Sequence, residues 1–412
     1  MLLEHKADIN CTTTDDGRTP LYEAVSYKAV DSVKVLLDLG ANAQQGDQKR
    51  AYTPLHVAAQ ENCPEIIEML LEHKADINCT TTDDGRTPLY EAVRFKAVDS
   101  VKVLLDLGAN AQQGDQKIAY TPLHVAAQKN CPDIIKLLLE HKADINCTTT
   151  DDGRTPLYEA VRFKAVDSVK VLLDLGANAQ QGDQDYAYTP LHMAAQKNYP
   201  DIFKLLLEHK ADINCTTTDN GRTPLYEAVR FKAVDSVKVL LDLGANAQQG
   251  DQKRAYTPLH MAAQENCPEI IEMLLEHKAD INCTTTDNGR TPLYEAVSFK
   301  AVESVEVLLD LGAKVHLSEI TVAYTPLHMA AQKNCPDIIK LLLDHKADIN
   351  CITSDDGRTP FADEGFDGTH PTNVDSPVTT GQVGPKRSAG IFKSTCKIRH
   401  QRGSRSTTSA AR

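Results

Sequence analysis

One 68-residue unit, carried five times with few changes, dominates this 412-residue chain; Cys11, Cys79, Cys147, Cys215, Cys283 and Cys351 mark its recurrence. Each unit divides into two halves of 34 residues, one reading TPLYEAVSYKAVDSVKVLLDLGANAQ from Thr19 and the other TPLHVAAQENCPEIIEMLLEHKADIN from Thr53. A half this short cannot bury an apolar face alone, so neighbours must stack into one elongated body whose length follows copy number. Length by itself would suggest about two to four globular domains, and the repetition overrides that. Complete halves begin at Thr19, Thr87, Thr155, Thr223 and Thr291, and at Thr53, Thr121, Thr189, Thr257 and Thr325. That makes ten, spanning residues 19–358.

Within the half Thr53–Asn78, Thr53-Pro54 is a helix-start signal, a capping hydroxyl followed by proline at the first helical position. Leu55, Ala58 and Ala59 give a short helix with one small apolar face. Asn62-Cys63-Pro64 interrupts it, and Ile66, Ile67, Leu70 and Leu71 then restart helical spacing with a larger face. TPLH, the paired alanines, the apolar second helix and the closing ADIN together resemble an ankyrin repeat, and the resemblance recurs along most of the chain. It implies an all-α solenoid of stacked helix-turn-helix units with projecting β-hairpin loops. The family's usual period is 33, which puts the extra residue of each half in the hairpin, in segments such as TTTDDGR and QQGDQKRA. Asp84-Gly85 and Asn220-Gly221 are good turn formers there. Two departures from the family pattern stand out. The glycine usual after the second helix is kept as Gly40 but becomes Lys74 in the other half. The glycine between helices becomes Lys28 or Asn62. Lysine tolerates left-handed geometry poorly, so a modest cost is expected at Lys74.

The net charge of −13 is unevenly placed. Residues 359–412 hold 8 Lys and Arg against 4 Asp and Glu, leaving 36 against 53 in the rest. An acidic array argues against nucleic acid as the main partner, because phosphate contacts need Lys and Arg; it favours basic partners, within the limits of screening. No run approaches the roughly 20 apolar residues of a membrane-spanning helix. The start shows no secretory pattern. Cysteines recurring every 68 residues lie two layers apart, about 20 Å, too far for a disulfide. Free thiols suit a reducing compartment, and a cytoplasmic location is expected, with the nucleus as a second compartment.

Met1–Asn10 duplicates Met69–Asn78, so residues 1–18 read as a partial repeat holding a second-helix remnant, from a fragment or an internal start. At Thr359 an eleventh repeat begins as TPF and dissolves, and residues 376–412 carry eight basic residues and no acid. That composition predicts a disordered basic tail. It is either a solvated linker or a segment for nuclear import or RNA contact.

No GxGxxG, P-loop, HExxH or GxSxG motif is present. The chain is expected to be no enzyme and to use no cofactor, metal or small-molecule substrate. His56, His124, His192, His260 and His328 are the fourth residues of TPLH motifs, and the resemblance implies that they bond neighbouring backbone. It also implies that protein partners lie along the concave surface of first helices and finger tips. Exposed first-helix positions on this reading are Glu23, Ser26 and Tyr27; Glu91, Arg94 and Phe95; Glu159, Arg162 and Phe163; Glu227, Arg230 and Phe231; and Glu295, Ser298 and Phe299. An aromatic beside an arginine makes a candidate hot spot; alternatively each ring packs on the adjacent repeat. Spaced every two layers, such sites suit a multivalent partner. The finger tips differ between copies: Lys49-Arg50, Lys117-Ile118, Asp185-Tyr186, Lys253-Arg254 and Thr321-Val322. Tuned contacts and drift at tolerant loop positions explain this equally well. The last unit differs more widely, with Lys314–Leu317 in place of Asn-Ala-Gln-Gln. Finally, Asn78, Asn146, Asn214, Asn282 and Asn350 close LEHKADIN-like segments, which look like the site a cytosolic asparaginyl hydroxylase modifies in ankyrin repeats. Asparagine also simply fits the turn entering the hairpin. A scaffold for protein–protein interaction is the function these features favour, with the targeting portion of a larger protein (a channel, ubiquitin-ligase adaptor or toxin) as the alternative.

Overall fold

The computed structural model describes residues 8–362. Twenty α-helices run through them in ten pairs, and no strand occurs among the described residues. The first unit contains α1 (Pro20–Ser26), α2 (Val30–Asp38), α3 (Pro54–Gln60) and α4 (Pro64–Glu72). The second begins with α5 (Pro88–Arg94) and α6 (Val98–Asp106), and the last pair is α19 (Pro326–Gln332) and α20 (Pro336–Asp344). First helices have seven residues and second helices nine.

Both ends of each helix are written locally. Thr19 Oγ accepts from the Tyr22 amide at 3.1 Å, and Pro20 occupies the first turn. In the other half, the Thr53 N–H donates to His56 Nδ1 at 3.2 Å, so histidine takes the place that Glu or Gln holds in a capping box. The helices stop at a left-handed residue: Lys28 (φ 54°), Gly40 (φ 92°), Asn62 (φ 55°) and Lys74 (φ 66°). Beyond it the chain bonds back five residues, as in Ala75 N–H to Leu70 O at 3.0 Å and Ala41 N–H to Leu36 O at 2.9 Å. These are Schellman closures. Lys74 therefore sits where a glycine is normally needed, as do its four sister lysines 142, 210, 278 and 346.

Helices this short are not stable in isolation, and stacking supplies what they lack. First helices pack in one row, α1 on α3 and α3 on α5, and second helices in another, α2 on α4 and α4 on α6. Leu55, Ala58, Ala59, Ile66, Ile67 and Leu70 are each fully buried between them, in a core that continues through all ten pairs. Alanine at positions 58 and 59 lets adjacent first helices approach closely.

The loops project as turns without a β-ladder. Asp84-Gly85 does form a turn, with Gly85 at φ 68°. Only Thr81 N–H to Arg86 O, 3.0 Å, crosses it as a strand pair would, because Thr81 Oγ takes the Arg86 N–H itself. Thr82 N–H instead reaches Arg50 O in the preceding finger at 2.8 Å, and Gln48 N–H reaches Asp16 O at 3.0 Å. The hydrogen bonds that would build a ladder within one finger are spent joining each finger to the next.

Candidate functional site

The surface that first helices and fingers present is built on buried polar anchors. His56, His124, His192 and His260 are fully buried. Their Nδ1 atoms accept from the threonine amide at the N-cap, so Nε2 carries the proton and donates to the backbone oxygen of Arg86, Arg154, Arg222 or Arg290 at 2.9 Å. Desolvation lowers each imidazole's pKa to about 4 and keeps it neutral. Each histidine thus links its helix to the finger 30 residues ahead. Tyr52 and its sisters lie tilted against these imidazoles and that of His328, with ring centroids 4.9–5.1 Å apart. The cysteine after the second helix lies against the same threonine, with Cys79 Sγ 3.4 Å from Thr53 Oγ. Burial raises the thiol pKa of Cys79, Cys147, Cys215 and Cys283, that of Cys215 to about 11. The described cysteines are all free.

The proposed recognition residues divide. Tyr27 is 81 % exposed, and Phe95, Phe163, Phe231 and Phe299 stand 39–48 % exposed at the C-caps of the first helices. These rings are not consumed by packing. Arg94, Arg162 and Arg230 lie over the neighbouring phenyl at 5.2–5.4 Å and reach back to a glutamate of the same helix.

Those glutamates correct the sequence-based expectation. Glu91, Glu159, Glu227 and Glu295 are 1–4 % exposed, not surface residues; only Glu23, at the end of the described stack, is partly open. Glu91, Glu159 and Glu227 each meet an arginine from the preceding finger as well as that of their own helix, as Arg154 Nη1 does 3.6 Å from Glu159, whereas Glu295 pairs only with Arg290 among the described residues; the Tyr120 hydroxyl donates to Glu159 at 3.2 Å. At Glu159 two guanidinium groups and a phenol offset the desolvation that a lone buried carboxylate would suffer. For Glu227 and Glu295 burial still raises the pKa. Ser26 and Ser298 stand where the second arginine is missing.

The five candidate hydroxylation positions show a contact that sequence inspection missed. Asn78, Asn146, Asn214 and Asn282 accept, through Oδ1, the N–H of Asn110, Asn178, Asn246 and Lys314 at 2.8–2.9 Å. In the other half Gln44, Gln112, Gln180 and Gln248 accept the N–H of Asp76, Asp144, Asp212 and Asp280 at 2.8 Å. One ladder of side-chain amides therefore runs along the stack. Its signal was present: Gln44 and Asn78 occupy the same place in the 34-residue period. At the next step the position is His316, and the Asp348 amide accordingly has no such partner among the described residues. Asn350, the fifth candidate, ends the described series.

No cluster of His, Cys, Asp and Glu arranged to hold a metal occurs among the described residues, and no described helix is long and apolar enough to cross a membrane. The basic tail of residues 376–412 and residues 1–7 lie outside the described region. Models of ankyrin repeats match residues 41–115, 110–183, 176–251 and 243–319, a single-repeat model matches 324–354, and a model of many copies matches 1–42. A search among curated proteins returned no match. With matches along residues 1–354 and paired helices stacked in two rows, the chain belongs to the ankyrin repeat family.

Proposed function

We propose that the chain is a non-catalytic scaffold that binds protein partners along the row of first helices and finger tips. Ankyrin repeats generally mediate protein–protein interaction. The observation that carries the reading here is the series Tyr27, Phe95, Phe163, Phe231 and Phe299. These rings stay open to solvent at 68-residue intervals on a stack that buries nearly every other large apolar side chain of its first helices. Rings held on short, doubly capped helices lose little further entropy on binding. A partner with several matching segments gains from their regular spacing, and the acidic array favours basic segments between the anchors. A cytoplasmic setting suits the free thiols. Hydroxylation at Asn78, Asn146, Asn214, Asn282 and Asn350 would fall, in the first four, on the rungs of the amide ladder themselves.

The test is a comparison of proteins retained from a cell extract by the full chain and by the variant Phe95→Ala/Phe163→Ala/Phe231→Ala. Loss of specifically retained proteins from the triple variant, with circular dichroism unchanged, is the expected result. An identical retained set refutes the reading.

A further inference from the structure

The copies of the 68-residue unit are so alike that their differences can be traced one by one to a place in the fold. Four positions at which the first four units differ are Ser26, Arg50, Val57 and Glu61. They are scattered over 36 residues of sequence, yet all four line a single cavity of about 280 Å³, with Arg18, Tyr22, Tyr52 and Gln60 completing its walls. Four of the twelve positions that vary among the first four units thus meet between α1, α3 and the finger that joins their repeats.

The first unit has a combination that no other unit has. Ser26 stands where Arg94, Arg162 and Arg230 fold back onto a glutamate, and its hydroxyl donates to Tyr22 O at 3.0 Å, leaving the space open. Arg50 stands where the second and third units have Ile118 and Tyr186. The fourth unit keeps the tip cation as Arg254 but also has Arg230; the fifth keeps the serine as Ser298 but has Val322 at the tip.

Charge accounting around the cavity leaves one cation over. Glu61 is paired with Lys28 at 3.2 Å, and Arg18 with Glu23 and Asp16 at 3.4 Å each. Arg50 lies over the Tyr52 ring at 5.0 Å, and its guanidinium makes no direct ion pair among the described residues, acting only at longer range on Asp83 of the adjacent finger. An exposed guanidinium placed over a phenol keeps its donors available, and their planar fork suits a carboxylate. Gln60 and Tyr52 are already bonded to each other at 2.9 Å, so they shape the wall rather than compete for the ligand.

We propose that this cavity is a subsite for one acidic side chain, aspartate or glutamate, of a bound polypeptide, with Arg50 as its ion-pair partner and Ser26 as the residue that keeps it open. One uncompensated cation next to Glu61 and Glu23 matches a single negative charge; a phosphate dianion would meet two carboxylates with one charge unbalanced. This rests on the first-helix and finger row being the partner-facing surface. It adds that the five units present different chemistry at one equivalent place, so that the array reads a partner in register.

The probes are four acetylated tripeptides titrated into the full chain, followed by the Arg Nε–Hε resonances. Three are amidated and carry a central glutamate, glutamine or phosphoserine between alanines; the fourth is trialanine with a free C-terminal carboxylate. The glutamate peptide is expected to shift the Arg50 signal saturably and the glutamine peptide to leave it in place. Arg50→Ile and Ser26→Arg install the residues of the sister unit, so folding should be kept. With Ser26→Arg the Arg50 response should need about tenfold more peptide, and with Arg50→Ile, which removes that reporter, the Arg18 signal in the same lining should show the same weakening. Conversely, Arg230→Ser should open the fourth unit's cavity, so that the Arg254 signal, still in the native chain, now responds. The ninth repeat already pairs Ser298 with a buried Glu295, so this substitution has a folded precedent. No Arg50 response up to about 50 mM, or equal responses to glutamate and glutamine, overturns the subsite. A stronger response to phosphoserine or to the free carboxylate overturns the side-chain assignment. These outcomes are separate from the triple-alanine comparison, which leaves the cavity intact.

Discussion

Lys142 and its equivalents Lys74, Lys210, Lys278 and Lys346 hold φ angles of 65–67°, and replacing all five with glycine should stabilise the array. An L-residue in the left-handed region costs about 1–2 kcal/mol. Glycine avoids that but gives back about 0.5–1 kcal/mol in unfolded-state entropy, leaving a gain of about 0.5–1 kcal/mol per site. Nothing else opposes the change. At the matching place in the other half, Gly108 has no atom within 4 Å of where a Cβ would stand, so lysine there suffers torsional strain and no clash. The Lys74 side chain is exposed and makes no ion pair among the described residues. Over five sites the gain is about 2.5–5 kcal/mol, enough to move a urea midpoint by on the order of 1 M. Lys232 is the control. It shares the left-handed geometry at φ 54°, but its Nζ donates to Glu265 O at 2.8 Å and pairs with the Glu265 carboxylate at 3.4 Å, so Lys232→Gly should gain nothing. Urea unfolding followed by circular dichroism at 222 nm measures both. An unmoved midpoint in the five-site variant, or an equal gain from Lys232→Gly, would refute the torsional argument.

Acid should loosen the stack through its histidines. Their folded pKa, about 4, lies below the unfolded value near 6.5, so the unfolded chain takes up protons that the folded chain refuses. The contribution of His56, His124, His192 and His260 is therefore complete above pH 6.5 and lost as pH falls toward 4. At pH 5 it is diminished by about 2 kcal/mol per histidine; imidazole resonances that titrate between pH 7 and 5 in the folded protein would contradict this. Asn146→Ala removes one rung of the amide ladder and should cost about 0.5–1.5 kcal/mol, with hydrogen exchange at the Asn178 amide accelerated and that at Asn246 unchanged. His316→Gln should add the missing rung, slowing exchange at the Asp348 amide. Alkylation mapped by mass spectrometry should label the exposed Cys11 well before the buried Cys79, Cys147, Cys215 and Cys283.

Much of this protein was determined by local sequence. The Thr-Pro starts, the left-handed stops and the apolar spacing of Ile66, Ile67, Leu70 and Leu71 settle where helices begin, end and face, because each depends on residues within a turn or two. Repetition then settles the architecture, since identical units can bury identical faces only by stacking. The tertiary structure decided what those units do to each other. Glu159 looked like a surface residue on its own helix; it is buried because Arg154 and Tyr120 reach it from outside that helix, contacts that helical periodicity does not encode. The threonine-rich fingers looked like β-hairpins, but their amides found better partners in the adjacent finger. Ser26 and Arg50 are differences 24 residues apart in the chain, and only stacking α1 against α3 makes them two walls of one cavity.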